Sequence, residues 1–301
     1  RGRPMRITWI GFGAMGLPMA TRLAQAGHTV RGRASSPAKH AALEAAGIEV
    51  VDDLRASAGE CDLVVSIVPG PHEVLELWTG DNGLFAAMRP GAVAIDMSTV
   101  GAETAVKLHA AGAEKSVVVV DSPVSGGVVG AANGALTLFV GGDASTVTPL
   151  TPMLSTLGTV IPCGDAGSGQ QAKLVNQVIV ALNTYGLCLA YALTERSGID
   201  RDLMFSALTG GAADGRLLRL EWPLLQANDL RTGFAVAHMV KDIGLLTPLL
   251  RAADLDSSVV EAIEARFRLT AEALGDGVAT QALAHQLEHL PAAKPNRTDA
   301  P

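Results

Sequence analysis

Lys173 and Asn176 stand three residues apart in the run Gly167-Ser168-Gly169-Gln170-Gln171-Ala172-Lys173-Leu174-Val175-Asn176. On a helix that spacing puts both side chains on one face. Leu174, Val175, Val178, Ile179, Val180, Ala181 and Leu182 make the rest of the circumference apolar, the pattern of a buried helix. A lysine is rarely buried without a partner. Two readings stay open: Lys173 extends its ammonium to water from near the helix start, or it faces a cleft where loss of water brings it into range for proton transfer. Upstream, Ser125-Gly126-Gly127 is a second feature with chemistry in it. Two glycines after a serine let other groups approach the backbone closely, and successive N–H groups can form an anion-binding concavity. With the Ser125 hydroxyl, that turn would seat a carboxylate; it would also serve as a glycine turn ahead of a hairpin.

The third feature opens the chain. Residues 5–10 read as a strand running into Gly11-Phe12-Gly13-Ala14-Met15-Gly16, then a helix over 17–26 closed by Gly27. Strand, glycine turn and helix in that order make the dinucleotide fingerprint. Gly11 permits the turn, Gly13 admits the pyrophosphate and Gly16 lets helix and strand pack closely. The helix start offers N–H groups to phosphate. A second strand over 29–33 ends at Arg31-Gly32-Arg33-Ala34-Ser35-Ser36, where a site for NAD carries an acid. Arg33 and Ser35 instead suit a 2′-phosphate, which favours NADP over NAD, unless both arginines are solvated edge charges.

The elements that must position these groups follow a steady rhythm. Residues 38–46 read as helix, 48–51 as strand, 63–68 as an unbroken apolar strand ending at Pro69, and 92–96 as a strand ending in Met97-Ser98-Thr99. Apolar strands separated by helices indicate a parallel sheet covered on both faces. Ligands lie beyond strand C-termini in such sheets, so Val68, Pro69, Ser98 and Thr99 are candidate cofactor contacts. Strands follow over 117–120, 135–140 and 160–162, with a helix over 143–157. From Ser168 to about 286 only helices are legible: 168–196, opened by Ser168-x-x-Gln171 as a capping box, then 200–208, 217–226, 236–253 and 257–274. Strands and helices in separate blocks predict two domains. The expected organisation is an α/β, doubly wound, mostly parallel Rossmann-like domain over 1–165, an all-α domain over 166–290, and a disordered tail over 291–301, with the cleft between domains the default site.

Composition narrows the function. The 301 residues carry a net charge of −7 and no basic run, which argues against a nucleic-acid partner. Cys61, Cys163 and Cys188 are too few and too dispersed for a disulfide framework or a metal site, so no metal is expected. No uninterrupted apolar run nears the roughly 20 residues of a membrane span, and glycines interrupt the N-terminus where a signal peptide would be apolar. A cytoplasmic protein without membrane contact is expected.

Taken together, four motifs resemble the β-hydroxyacid dehydrogenases, the group containing 3-hydroxyisobutyrate dehydrogenase and tartronate semialdehyde reductase. They are Gly11-Phe12-Gly13-Ala14-Met15-Gly16 with Pro18-Met19-Ala20; Asp121-Ser122-Pro123-Val124-Ser125-Gly126-Gly127; Gly167-Ser168-Gly169 with Lys173 and Asn176; and Lys241-Asp242. The resemblance implies that Ser125, Gly126 and Gly127 bind substrate, that Lys173 is the catalytic acid/base with Asn176 orienting it or the substrate, and that Lys241 lies near the nicotinamide with Asp242 in support. It also implies a homodimer or homotetramer and a small substrate bearing a carboxylate. The continuation Asn176-Gln177-Val178-Ile179-Val180-Ala181-Leu182-Asn183 is most similar to tartronate semialdehyde reductases. Ala34-Ser35-Ser36 matches neither the Asn-Arg-Thr of NADP-preferring relatives nor the acid of NAD-preferring ones, and Gly275-Asp276-Gly277 replaces the Asp-Ser-Ala common in the reductases. An NADPH-dependent imine reductase and a non-catalytic dinucleotide-binding interaction module are the alternatives; Lys173 argues against both.

Overall fold

A computed structural model describes residues 3–289. The tail expected over 291–301, and Arg1 and Gly2, lie outside the described residues. The chain divides into two units, Arg1–Gln177 and Val178–Pro301.

In the first unit, strand and helix alternate through β1 (Arg6–Ile10), α1 (Gly16–Gln25), β2 (Thr29–Gly32), α2 (Pro37–Ala45), β3 (Glu49–Val50), α3 (Leu54–Glu60), β4 (Leu63–Ser66), α4 (Pro71–Thr79), β5 (Val93–Asp96), α5 (Ala102–Glu114) and β6 (Val118–Asp121). Then come β7 (Val124–Ser125), α6 (Gly127–Asn133), β8 (Leu136–Gly141), α7 (Ala144–Leu154) and β9 (Gly158–Gly164); α8 (Ser168–Ser197) starts here and runs on into the second unit. The strand order is β3-β2-β1-β4-β5-β6-β8-β7, with β9 also on β8. β1 to β6 are parallel, β8 is antiparallel to β6 and β7, and β9 is parallel to β8. This is the doubly wound, mostly parallel sheet that the apolar runs predict. The order reverses between β1 and β4, and that reversal opens a crevice beyond their C-termini.

The sheet is covered on both faces because its strands alternate between two cores. Leu63 and Val65 of β4 join Ile7, Trp9, Ile95 and Val120 in one cluster; Val64 joins Ala94 and Val119 in the other. Successive strand side chains point to opposite faces. Each such fully buried large side chain stabilises by about 1.5–3 kcal/mol. The structure departs from the sequence reading after Gly126, where α6 stands between β7 and its hairpin partner β8.

The second unit holds α9 (Arg201–Thr209), α10 (Arg216–Gln226), α11 (Val236–Ala252), α12 (Ser258–Leu274) and α13 (Leu283–His289) beside the rest of α8, with one isolated bridge between Ala235 and Ala279. Trp222 is fully buried, with the rings of Tyr191 and Phe205 at 5.0 and 6.4 Å. Among the described residues α8 alone is long and apolar enough to cross a bilayer by length and composition. Asn176, Gln177 and Asn183 interrupt it, so no unbroken run exists, and 44% of its apolar window is buried inside the protein.

Candidate active site

The first glycine turn separates into packing and binding parts. Gly11 has φ +96°, and a β-carbon there would lie 2.0 Å from the Ile67 carbonyl; one on Gly16 would lie 1.8 Å from the Gly11 carbonyl. Both glycines are demanded by the close approach of α1 to β1 and β4. Gly13 is different: a β-carbon there would meet nothing within 4 Å, so the space above it is open. The start of α1 has no side-chain cap and no acid in its first turn; Leu17 N–H is held by the Gly13 carbonyl at 3.1 Å and Pro18 has none, so Gly16 N–H is the first-turn donor left to an anion. This cradle fits the pyrophosphate of a dinucleotide. Phe12 packs across Gly32, where a β-carbon would sit 2.3 Å from its ring. Ala14 is exposed and Met15 half-buried beside the turn.

At the end of β2 the two arginines part company. Arg31 pairs with Glu49 at 2.8 Å and Glu60 at 3.0 Å and is structural. Arg33 is exposed and lines a surface hollow with Ala34, Ser35, Ser36 and His40, a hollow that also carries Glu44 and Asp52. Ser36 is spent on the α2 N-cap, accepting from Lys39 N–H, whereas Arg33 and Ser35 stay exposed in the hollow.

The turns after β4 and β5 are braced from below. Asp96 Oδ1 accepts from the Ser66 and Ser98 hydroxyls, each at 2.7 Å; Trp78 Nε1 donates to Ser66 Oγ at 3.0 Å, and Val68 N–H to Ser98 Oγ at 2.9 Å. Burial pushes the Asp96 carboxyl up to about 6, with the Ser66 and Ser98 bonds opposing that rise. The Ser98 hydroxyl turns inward and is consumed by this network. Val68, Pro69 and Thr99 remain partly or fully accessible.

Lys173 is only 6% exposed, so the reading that it snorkels to solvent is overturned. It lies one turn before Asn176 on α8. Asn176 Oδ1 accepts from Ser125 Oγ at 3.4 Å, and Asn176 Nδ2 donates to Gln177 Oε1 at 2.9 Å. The Ser125 turn thus lies against the helix face that bears Lys173 and Asn176. Gly126 and Gly127 have φ of +134° and +65°, both in the region that favours glycine, and a β-carbon on Gly127 would meet open space. Lys241 and Asp242 are in the second unit on α11, paired at 3.0 Å, with Asp242 buried.

Two residues that sequence reasoning missed hold the start of α8. Asp121, at the end of β6, accepts from Gly167 N–H at 2.8 Å and Gln170 N–H at 3.0 Å, with His109 Nε2 at 3.3 Å. The expected Ser168–Gln171 capping box is replaced by this buried carboxylate, a stronger acceptor for the orphan N–H groups than a hydroxyl. The Gly-Ser-Gly motif follows from it, because a β-carbon on Gly169 would lie 2.7 Å from Asp121 Oδ2 and 2.4 Å from the Phe139 carbonyl. Gln170 Oε1 accepts from Val100 and Gly101 N–H, and its Nε2 donates to the Ser98 carbonyl. The one sequence signal for Asp121 is an acid closing an otherwise apolar strand.

Comparison with known proteins agrees with this construction. A family model of the NAD-binding domain of 6-phosphogluconate dehydrogenase matches residues 6–165, and one described as NAD-binding of NADP-dependent 3-hydroxyisobutyrate dehydrogenase matches residues 167–287. The chain is 36% identical to the Arabidopsis thaliana protein called "Probable 3-hydroxyisobutyrate dehydrogenase-like 3, mitochondrial", over 80% of this chain and 76% of that one. A Mycobacterium tuberculosis 3-hydroxyisobutyrate dehydrogenase solved with L-serine is 30% identical, with a TM-score of 0.83 over 95% of this chain and 99% of that one. An imine reductase from Myxococcus stipitatus with NADP+ shares the fold alone, at 19% identity and a TM-score of 0.62 over 93% of this chain and 99% of that one. Nothing in these matches singles out tartronate semialdehyde reductases. The chain belongs to the 3-hydroxyisobutyrate dehydrogenase-like family of NAD(P)-dependent oxidoreductases.

Proposed function

We propose that the protein interconverts a short 3-hydroxy acid and the matching semialdehyde, with Lys173 as the acid/base. The observation that carries this reading is a lysine nine-tenths buried on the helix whose Asn176 meets Ser125. The substrate carboxylate sits on the Ser125 hydroxyl and the Gly126-Gly127 backbone. A nicotinamide cofactor held over the glycine turn at 11–16 would supply or accept the hydride. In reduction, the Lys173 ammonium donates a proton to the carbonyl oxygen as it becomes a hydroxyl; in oxidation, neutral Lys173 takes that proton. Asn176 orients the substrate or the lysine. Arg33 and Ser35 favour NADP over NAD, and Lys241 is assigned to the cofactor on the family resemblance. Exposed Val175 and Ile179, and Leu189 and Leu193, recur at i, i+4 on α8 and support a homodimer or homotetramer.

The test is a panel of tartronate semialdehyde, 3-hydroxyisobutyrate and related acids, run with NAD(H) and NADP(H) on wild type and Lys173→Ala. Positioned acid/base catalysis contributes about 10²–10⁴-fold, so the variant should lose at least the lower figure in turnover and keep cofactor binding. The segment 176–183 favours tartronate semialdehyde within the panel. Normal turnover by Lys173→Ala would sink the mechanism, and activity confined to cyclic imines would favour the imine-reductase alternative.

A further inference from the structure

Gln170 occupies a place no part of the reaction yet explains. It is fully buried and uses all of its near-side hydrogen-bonding capacity on one turn: Oε1 accepts from Val100 N–H at 2.9 Å and Gly101 N–H at 3.1 Å, and Nε2 donates to the Ser98 carbonyl at 2.8 Å. Its own backbone N–H is held by Asp121 Oδ2 at 3.0 Å. The turn it grips contains Thr99, and Ser98 in turn braces Val68. Lys173 follows on α8 at i+3, the next residue along the same face. One side chain therefore ties the backbone beyond β4 and β5 to the helix that carries the lysine, with both acceptor and donor ends engaged.

We propose that Gln170 is a positioning residue for the reaction: its amide fixes the spacing between the cofactor-facing turn at Thr99 and the Lys173 ammonium. This rests on the reading of Lys173 as the acid/base. The chemical logic is that proton and hydride must move at two ends of one substrate bond, so an error in the distance between lysine and cofactor is felt directly; a misplacement of about 1 Å can cost about 100-fold in rate. No other amino acid matches the task. A carboxylate accepts from Val100 and Gly101 but cannot donate to Ser98, and methionine has the length but no donor and only a weak acceptor.

The experiment is single-turnover stopped flow with the substrate and nicotinamide cofactor that wild type turns over fastest in the panel above, on wild type, Gln170→Met, Gln170→Glu and Lys173→Ala, following nicotinamide absorbance. A merely structural role lowers the amplitude, because fewer molecules are folded, and leaves the rate constant alone. A positioning role lowers the rate constant, here by about 10- to 100-fold in Gln170→Met. Gln170→Glu should regain rate relative to wild type as pH falls and its carboxyl gains the proton that Ser98 needs; it also serves as the test if Gln170→Met does not fold. A Lys173→Ala rate constant near wild type, or no turnover by wild type with any acid or semialdehyde of that panel, would overturn the acid/base reading and this role with it. A slow Lys173→Ala beside Gln170 variants at the wild-type rate constant would overturn the positioning role alone.

Discussion

Replacing Asp121 by asparagine changes a charge and almost no volume, and the structure sets the cost. The carboxylate is 1% exposed and takes Gly167 N–H at 2.8 Å and Gln170 N–H at 3.0 Å on its two oxygens. An amide has one acceptor oxygen, so one of these N–H groups would face an NH2 and stay buried without a partner, at about 1–3 kcal/mol. The surviving bond falls from charge-assisted to neutral and the carboxylate's attraction to the helix start is lost, together about 1–2 kcal/mol. Burying a neutral group instead of a charge returns part of this. The Gly141 and Gly169 backbones crowd the same oxygens so closely that an added β-carbon would stand 2.6 and 2.7 Å from them, which leaves little room for the site to shift and recover the rest. The net loss is about 2–4 kcal/mol. Urea unfolding of wild type and Asp121→Asn measures it, and amide exchange at Gly167 and Gln170 places it, since those protons should lose protection before the strands do. A loss below about 0.5 kcal/mol, the range of an inconsequential surface change, with both amides still protected, would refute the assignment of Asp121 as the cap of α8.

The fingerprint glycines should separate by assay. Gly13→Ala should fold normally yet weaken NADP(H) binding by about tenfold or more, whereas Gly16→Ala, with its β-carbon 1.8 Å from the Gly11 carbonyl, should lose about 1–3 kcal/mol or more of stability; equal effects in thermal melts and cofactor titrations would contradict that division. Arg33→Ala should raise KM for NADP about tenfold and leave KM for NAD unchanged, and a parallel change in both would mark Arg33 as a solvated charge. Burial pushes the Glu221 carboxyl up to about 7, with Thr280 opposing the rise. The folded state then holds a proton that the unfolded chain has released, so Glu221 makes stability fall as pH rises from about 4.5 to about 7, by about 3 kcal/mol at most. Glu221→Gln should remove that slope in urea titrations at several pH values; an unchanged difference between wild type and variant across the window would show that Glu221 is ionised throughout.

Sequence alone was enough for the glycine turn between strand and helix, the alternation of strands and helices, and the placing of Lys173 and Asn176 on one helix face, because each depends on local spacing: glycines between a strand and a helix, apolar runs of strand length, side chains at i and i+3. It could not say which way Lys173 faces, since an apolar circumference with one lysine fits both a snorkelling and a buried charge; only the packing of α8 decides, leaving the residue 6% exposed. The two arginines after β2 look alike in sequence, yet Glu49 and Glu60 on other elements claim Arg31 and leave Arg33 in the hollow. Ser98 reads as a strand-end contact until Asp96 is seen to hold its hydroxyl below the turn. Gln170 carries no local signature, and Asp121 only that of an acid closing an apolar strand. Their bonds run across 46 residues to Gly167 and 70 to Val100, and only the folded sheet brings a carboxylate at the end of β6 and a turn beyond β5 to the first turn of α8. Spacing along a chain encodes which groups can share a face; which buried N–H or hydroxyl each polar group must satisfy is set by what tertiary packing has closed to water.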